Sequence, residues 1–143
     1  MSAASVAAKL GGRSVLKRVV RSELDLAKLI RNGLPAAALE HLLAREGISA
    51  ADLYRLVGSP RTLQRKRAAR LQLSPEESDR LARVARLIAR AEEAIGDADK
   101  AHRWLAQPNR ALGGSSPVAL LDSDAGSLAV ERVLGRIEHG IVA

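Results

Sequence analysis

The sequence contains no cysteine, which excludes disulfide bonds and thiolate metal sites and leaves the redox compartment open. It also contains no phenylalanine, a single tryptophan and a single tyrosine. The core must therefore be built from leucine, isoleucine, valine and alanine, and this composition favours helices. No run of about 18 apolar residues occurs, so the sequence predicts no membrane-spanning helix and no membrane partner.

The motifs of catalysis are missing as well. The three histidines, His41, His102 and His139, fall on separate predicted helices, with no HExxH pattern and no nucleophile at a strained turn. Gly113-Gly114 is too short for a P-loop or a dinucleotide fingerprint. We therefore expect no catalytic residue, no cofactor and no metal site, with the histidines at the surface or at helix ends.

The charge that is present is unevenly distributed. The 143 residues carry 23 lysines and arginines against 16 acids, and the pI is about 10.7. Residues 1–96 hold 18 of the basic residues and 10 of the acids, whereas residues 97–143 hold 5 and 6. A strongly basic front and a nearly neutral back indicate two functions, nucleic-acid binding at the front and protein binding at the back.

Residues 1–21 contain no acid and five cations: Lys9, Arg13, Lys17, Arg18 and Arg21. Alanine, serine and glycine make up much of the remainder, which is typical of a chain that stays mobile. The segment is predicted to be a basic, mobile arm in solvent, and an arm that contacts DNA is the second interpretation.

Three helices are predicted next, at about 22–31, 35–45 and 50–57, from apolar residues at helical spacing, and the third has a capping-box-like start at Ser49 to Asp52. Gly58-Ser59-Pro60 follows, in which Gly58 can take a positive φ, Ser59 can cap and Pro60 can be the first helical residue. A fourth helix runs from there to about Arg70. Two short helices joined by a tight glycine-containing turn are typical of a helix-turn-helix.

The second helix of this motif carries an unusual density of polar and basic side chains. In a helix-turn-helix its first residues reach base edges, where arginine pairs with guanine and glutamine with adenine. The remaining cations suit phosphates. The alternative is a solvated basic helix packed on the core. The candidate DNA-binding residues are Ser59, Arg61, Thr62, Gln64, Arg65, Lys66, Arg67 and Arg70.

A long helix is predicted from Ser74, where Ser74 and Glu77 form a capping box around Pro75. It extends to about Ile95 with one continuous apolar face. A second face carries an arginine stripe, interpreted as a solvated surface, with support of DNA phosphates as the alternative. The stripe consists of Arg83, Arg86 and Arg90.

The remaining segment is marked by signals that stop and restart helices. A helix from Asp97 places Trp104 in the core, or alternatively at a partner surface, and Pro108 prevents its continuation. Gly113-Gly114 allows a sharp reversal, and Ser116-Pro117 opens a short helix. In the last helix, Gly135 suggests close approach by a neighbouring backbone, either of this chain or of another.

These motifs together resemble the Xre/MbcA/ParS antitoxins. The resemblance rests on W-L-A-Q-P-N-R-A-L-G-G-S-S-P from Trp104, on G-L-P from Gly33, on R-T-L-Q-R from Arg61 and on L-S-P-E-E-S-D-R-L from Leu73. It covers roughly residues 25–143, and the motifs occur in the family's order.

The resemblance implies an all-α fold, with an Xre-like helix-turn-helix part followed by a small helical toxin-binding domain. We place the mobile arm at residues 1–21, the DNA-binding domain at 22–96 and the toxin-binding domain with a C-terminal tail at 97–143. The implied protein is a cytoplasmic bacterial antitoxin of a type II system. It neutralises an NAD-consuming RES-domain toxin by covering the active site of that toxin. It also represses its own operon at a double-stranded operator, as a homodimer within a larger complex.

Carried onto this sequence, the family's toxin contact falls on Arg136 and on the tail, Ile141, Val142 and Ala143. A supporting surface is implied at Pro108, Asn109, Leu112, Gly113 and Gly114. The alternative function is that of a transcriptional regulator whose C-terminal domain only mediates dimerisation.

Overall fold

The computed structural model describes residues 1–140, so the predicted tail Ile141–Ala143 lies outside the described residues. Within residues 1–140 the chain is all-α, as predicted, with no β-strand and one isolated bridge between Pro35 and Gln72. None of these helices is both long and apolar enough to cross a membrane. The α-helices are α1 Ala3–Lys9, α2 Gly12–Leu16, α3 Glu23–Asn32, α4 Ala36–Arg45, α5 Ala50–Val57, α6 Pro60–Ala68, α7 Pro75–Ile95, α8 Ala98–Ala106 and α9 Asp124–Glu138; short 3₁₀ helices cover Arg110–Leu112 and Pro117–Leu120.

Helix α7 is the centre of the fold. Its 21 residues span about 30 Å, and it packs against α1, α3, α5, α8 and α9. Leu81, Val84 and Ile88 are fully buried along it. The predicted capping box is confirmed, since Ser74 Oγ accepts from the Glu77 amide and the Glu77 carboxylate accepts from the Ser74 amide. Gly96 closes the helix in the left-handed conformation.

The arginine stripe of α7 is not the solvated surface expected from the sequence. Each arginine pairs with a carboxylate on a neighbouring helix: Arg83 with Asp124 at 2.7 Å, Arg86 with Glu23 at 2.8 Å, and Arg90 with Glu138 at 3.0 Å. Hydrogen bonds from these guanidinium groups lower the pKa of Glu23 and of Glu138. The stripe therefore ties α7 to α3 on one side and to α9 on the other.

The N-terminal segment differs from the predicted mobile arm. Residues 1–21 contain α1 and α2, and the side chains of Val6 and Leu10 are completely buried, with Leu16 nearly so. Helix α1 lies against α7. The prediction was wrong because it weighed the cations and small residues and overlooked the apolar positions spaced by three and four.

Lys9 anchors this segment to the core. Its ammonium nitrogen lies 2.7 Å from a carboxylate oxygen of Glu92 on α7 and 3.2 Å from Glu46 at the end of α4. Burial alone would lower the pKa of Lys9, but the hydrogen bonds to Glu92 and Glu46 outweigh it and raise the pKa. One cation predicted to lie in solvent is therefore half-buried and paired with two carboxylates.

Helix α9 contains one glycine that requires its small size and one that does not. A Cβ at Gly126 would collide with the backbone carbonyl oxygen of Leu120, so the chain before α9 passes directly against its first turn. A Cβ at Gly135 would meet nothing within 4 Å in the described residues. The close approach predicted at Gly135 is therefore found at Gly126 instead.

These two glycines give a matched pair of substitutions. Gly126→Ala is expected to lower the free energy of unfolding by about 2 kcal/mol, because the Leu120 backbone must move. Gly135→Ala is expected to raise it by up to about 1 kcal/mol, because alanine is the better helix former. Denaturant unfolding of both variants checks this, and equal destabilisation by the two substitutions would contradict it.

Candidate nucleic-acid interface and partner surface

The two helices of the predicted helix-turn-helix are built as expected at their starts. Ser49 caps α5 by accepting from the Asp52 amide at 3.1 Å, and Ser59 caps α6 with Pro60 as its first residue. The turn between them differs in one respect. Gly58 has φ 170° and ψ −175°, an extended backbone, so the positive φ predicted there is wrong. Helix α6 also ends at Ala68, two residues earlier than predicted.

One face of α6 is exposed and polar. Leu63 is fully buried and fixes which side of the helix faces the core. Arg61, Gln64 and Arg65 are exposed on the other side, where residues three and four apart are neighbours. Ser59 is exposed and Thr62 half-buried at the start of the helix. Within residues 1–140 neither Arg61 nor Arg65 has an ion-pair partner, so both cations face solvent uncompensated.

Two of the predicted DNA-binding residues point back into the protein. The Lys66 ammonium lies 2.6 Å from Glu77 on α7. The Arg67 guanidinium donates to the Tyr54 hydroxyl at 2.6 Å and lies 3.4 Å from Glu40. The prediction from sequence placed all the cations of α6 on one DNA-binding surface, because spacing alone does not reveal which of them face a carboxylate on another helix. Lys66 and Arg67 instead attach α6 to neighbouring helices and do not belong to the candidate DNA face.

Arg70 follows α6 and is exposed, with φ 55° in the left-handed region. It is one of two non-glycine residues with positive φ in the part of the chain that the structure describes; the other is Lys17. A left-handed conformation is unfavourable for a side chain of this size.

Glu77 joins three parts of the motif. Its carboxylate accepts from Lys66 on α6 and from the Ser74 amide at the start of α7, and it lies beside the Gly58 turn. The side chain is only 11% exposed. Burial raises the pKa of Glu77, but the hydrogen bonds from Lys66 and Ser74 outweigh it and lower the pKa below 4.5.

The predicted partner surface contains a self-contained loop. Asn109 closes it: its side chain accepts from the Ala111 amide at 2.9 Å, and its backbone carbonyl accepts from the Gly114 amide at 2.9 Å. Gly113 and Gly114 have φ 68° and 88°, which confirms the sharp reversal. Pro108 is exposed, Leu112 is half-buried against the core, and both glycines face solvent.

This loop packs on the last helix. The 3₁₀ helix Arg110–Leu112 contacts α9, which carries the exposed Arg136. Trp104 on α8 is half-buried against the core rather than fully enclosed. The structure thus brings the loop and α9 together, whereas the candidate contacts Ile141, Val142 and Ala143 lie outside the described residues.

A cluster of titratable groups that the sequence did not reveal lies away from both surfaces. Carboxylate oxygens of Glu46 and Glu92 and a ring nitrogen of His102 all lie within 4.8 Å of one another. The Nε2 atom of His102 is 3.6 Å from each of the two carboxylates. Lys9 already supplies a cation to the two glutamates. We interpret the cluster as an ion-pair network. Because its members are far apart in sequence, no local pattern predicts it.

Known proteins share both parts of this chain. The model of the antitoxin Xre-like helix-turn-helix domain matches residues 25–86, and that of the antitoxin Xre/MbcA/ParS C-terminal toxin-binding domain matches residues 90–140. An antitoxin Xre of Photorhabdus laumondii is 33% identical over 120 residues, which are 82% of this chain and 81% of that protein. This chain belongs to the Xre antitoxin family. Both matched regions include part of α7.

Two further relatives extend the comparison. An antitoxin Xre of Yersinia enterocolitica is 35% identical over 118 residues, covering 81% of this chain and 80% of that one. A protein of a Sphingobium species, named Prs ADP-ribosylating antitoxin, is 29% identical over 132 residues, covering 85% and 83%. The resemblance stated from the sequence motifs is therefore confirmed at the level of the family.

Glu77→Gln tests the ion pair between Glu77 and Lys66, because glutamine can still cap α7 but carries no charge. We expect it to lower the free energy of unfolding by about 1 kcal/mol at pH 7. Because folding lowers the pKa of Glu77, its contribution is present above about pH 4.5 and lost as the pH falls through the lowered value.

Wild type and Glu77→Gln should therefore converge in stability as the pH falls through the lowered pKa of Glu77. Denaturant midpoints measured across this range check the expectation. Glu76→Gln, an exposed neighbour on the same turn, is the matched control and should differ little from wild type at any pH. A difference in denaturant midpoint between wild type and Glu77→Gln that stays constant as the pH is lowered would contradict the assigned ion pair.

Proposed function

We propose that this Xre-family antitoxin neutralises a cognate RES-domain, NAD-consuming toxin through its C-terminal part and represses its own operon through α6. The C-terminal tail covers the active site of the toxin, and the complex holds the antitoxin as a homodimer. The family match supports an antitoxin with a helix-turn-helix and a toxin-binding domain. The nature of the toxin and the repression are inferences from the resemblance and from the geometry below.

The exposed face of α6 supports DNA binding. Arg61, Gln64 and Arg65 combine two base-reading side-chain types on the first turns of the second helix of the motif. Their charge is not neutralised within the described chain, while Lys66 and Arg67 brace the helix from behind. Such a helix is suited to binding a polyanion such as DNA, because Arg61 and Arg65 do not have to give up ion pairs within the described chain in order to bind phosphates.

The loop and α9 support binding of a protein. The loop conformation is fixed by Asn109 and by two left-handed glycines, so its shape is set before any partner arrives. Such preorganisation reduces the entropy lost on association. Arg136 is exposed on the helix that leads into the tail. The region around them is nearly neutral in charge, which suits a protein partner better than DNA.

The observation that carries the proposal is the separation of the two surfaces along α7. Glu77 holds α6 at the beginning of α7, and Arg90 holds the end of α9 thirteen residues further on. At 1.5 Å per residue the two contacts are about 20 Å apart. One chain can therefore hold DNA at one end and a toxin at the other. A second copy would supply the other operator half-site, about 34 Å away.

The proposal predicts that the two activities can be removed separately. The RES-domain toxin would be co-expressed with the full chain, with a chain ending at Gly140, and with Arg61→Ala/Arg65→Ala. The full chain and the double variant should restore growth and cellular NAD, and the shortened chain should not. A reporter under the antitoxin's own promoter should be repressed by the full chain and the shortened chain but not by the double variant.

Arg31→Ala/Arg45→Ala is the matched control, since it removes two exposed cations of the same part from outside α6. It should behave as wild type in both assays. If the shortened chain neutralises fully, the tail does not cover the active site. If the full chain represses the reporter and never neutralises, the alternative of a regulator whose C-terminal part only dimerises is correct.

A further inference from the structure

The ion pairs of this protein leave a selected set of cations uncompensated. In the basic part of the chain, Lys9, Lys66, Arg67, Arg83, Arg86 and Arg90 all pair with carboxylates. Other cations in this part have no ion-pair partner within residues 1–140, and six of them lie on α2, on α3 and on the segment between them: Arg13, Lys17, Arg18, Arg21, Lys28 and Arg31. This end of the molecule therefore carries several positive charges that no carboxylate neutralises.

Four of these cations, Arg13, Lys17, Arg18 and Lys28, line one cleft. It lies between α2 and α3, has a volume of about 540 Å³, and is also lined by Val19, Leu29, Asn32 and Asp25. Asp25 is the single carboxylate in it, and that carboxylate already accepts from the Arg21 amide at 2.9 Å. Four cations against one engaged acid make the cleft electropositive, and its lining includes no aromatic side chain for stacking on bases.

The cleft continues toward the end of α6. A neighbouring depression of about 260 Å³ is lined by Lys17 and Arg18 from the N-terminal segment and by Gln72, which follows α6. Gln72 forms the bridge with Pro35, and the Leu71 carbonyl accepts from the Ala36 amide at 2.9 Å. The N-terminal cations and the segment that leaves α6 therefore share one continuous surface.

The backbone supports the same assignment independently. Lys17 follows α2 with φ 61°, and Arg70 lies two residues after α6 with φ 55°; within residues 1–140 no other non-glycine residue has a positive φ. Such a conformation is unfavourable for a residue with a side chain. Both exceptions are cations: Lys17 lines the cleft, and Arg70 lies two residues before Gln72, which lines the neighbouring depression. Unfavourable backbone geometry that is retained at a residue is typical of functional sites.

We propose that the cleft formed by Arg13, Lys17, Arg18 and Lys28 binds the phosphate backbone of duplex DNA beside the segment read by α6. The inference rests on the proposed DNA binding and adds a second contact to it. Because phosphate contacts position a protein without reading sequence, the cleft contributes affinity and register but no base specificity. The residues Arg13, Lys17 and Arg18 lie outside both matched family regions.

The experiment measures the salt dependence of binding by the full chain. The probes are a duplex of about 30 bp from the region upstream of its own gene and a scrambled duplex of equal length. Arg13→Gln/Arg18→Gln/Lys28→Gln removes three cleft cations and leaves the left-handed Lys17 alone. Lys100→Gln/Arg103→Gln/Arg132→Gln removes three exposed cations from the C-terminal part as the matched control. Arg18→Gln alone serves if the triple variant does not fold.

Each lost phosphate contact should reduce the slope of log K against log salt by about one. We expect the cleft variant to lower the slope by about 2 to 3 per chain, and Arg18→Gln by about 1. Both duplexes should be affected equally, so the ratio of their affinities stays unchanged. The control variant should keep a slope within about half a unit of wild type.

Equal slopes for the cleft variant and wild type would overturn the inference while leaving the proposed function intact. A cleft variant that binds DNA normally but no longer co-purifies with the toxin would also overturn it, since the cleft would then be a protein surface. Absence of DNA binding by wild type itself would overturn the proposed DNA function together with the inference.

Discussion

The fold depends on α7, because the helices of both the N-terminal and the C-terminal part pack against it. Its buried face supplies Leu81, Val84 and Ile88 to one core, and its arginines reach carboxylates on α3 and α9 from a second face. Partly exposed ion pairs of this kind contribute little to stability. Arg86 and Arg90 each pair with one carboxylate through two nitrogens, and such a pair restricts the rotation of the flanking helix about α7 because its geometry is specific.

Shared packing has a consequence for an antitoxin that handles two macromolecules. The helix-turn-helix is attached near the first turn of α7 through Glu77, and the last helix near its final turns through Arg90. The distance between the two surfaces is then set by a helix, not by a linker. A partner bound at one end of α7 therefore leaves the other end in a fixed orientation.

Local chemistry made much of this predictable from sequence. Ser49, Ser59 and Ser74 cap their helices as expected, and Gly113-Gly114 reverses the chain, because caps and turns depend only on neighbouring residues. The predictions that were wrong concern contacts between residues distant in sequence. Lys66 faces Glu77, Lys9 meets Glu92 across 83 positions, and a Cβ at Gly126 would meet Leu120, whereas one at Gly135 would meet nothing within residues 1–140. The composition of residues 1–21 likewise concealed the apolar spacing that buries Val6, Leu10 and Leu16. The direction in which a side chain faces was not predictable from its type.

The central claim is that both functional parts form one cooperative unit around α7, and equilibrium unfolding tests it directly. Trp104 is the only tryptophan and lies on α8, so its fluorescence reports the C-terminal part. Far-UV circular dichroism is dominated by the other helices. The account predicts that the two signals change with the same denaturant midpoint and the same slope, as in a two-state transition. Two separated transitions, with Trp104 released while most helices persist, would show that the parts fold independently and would contradict the claim.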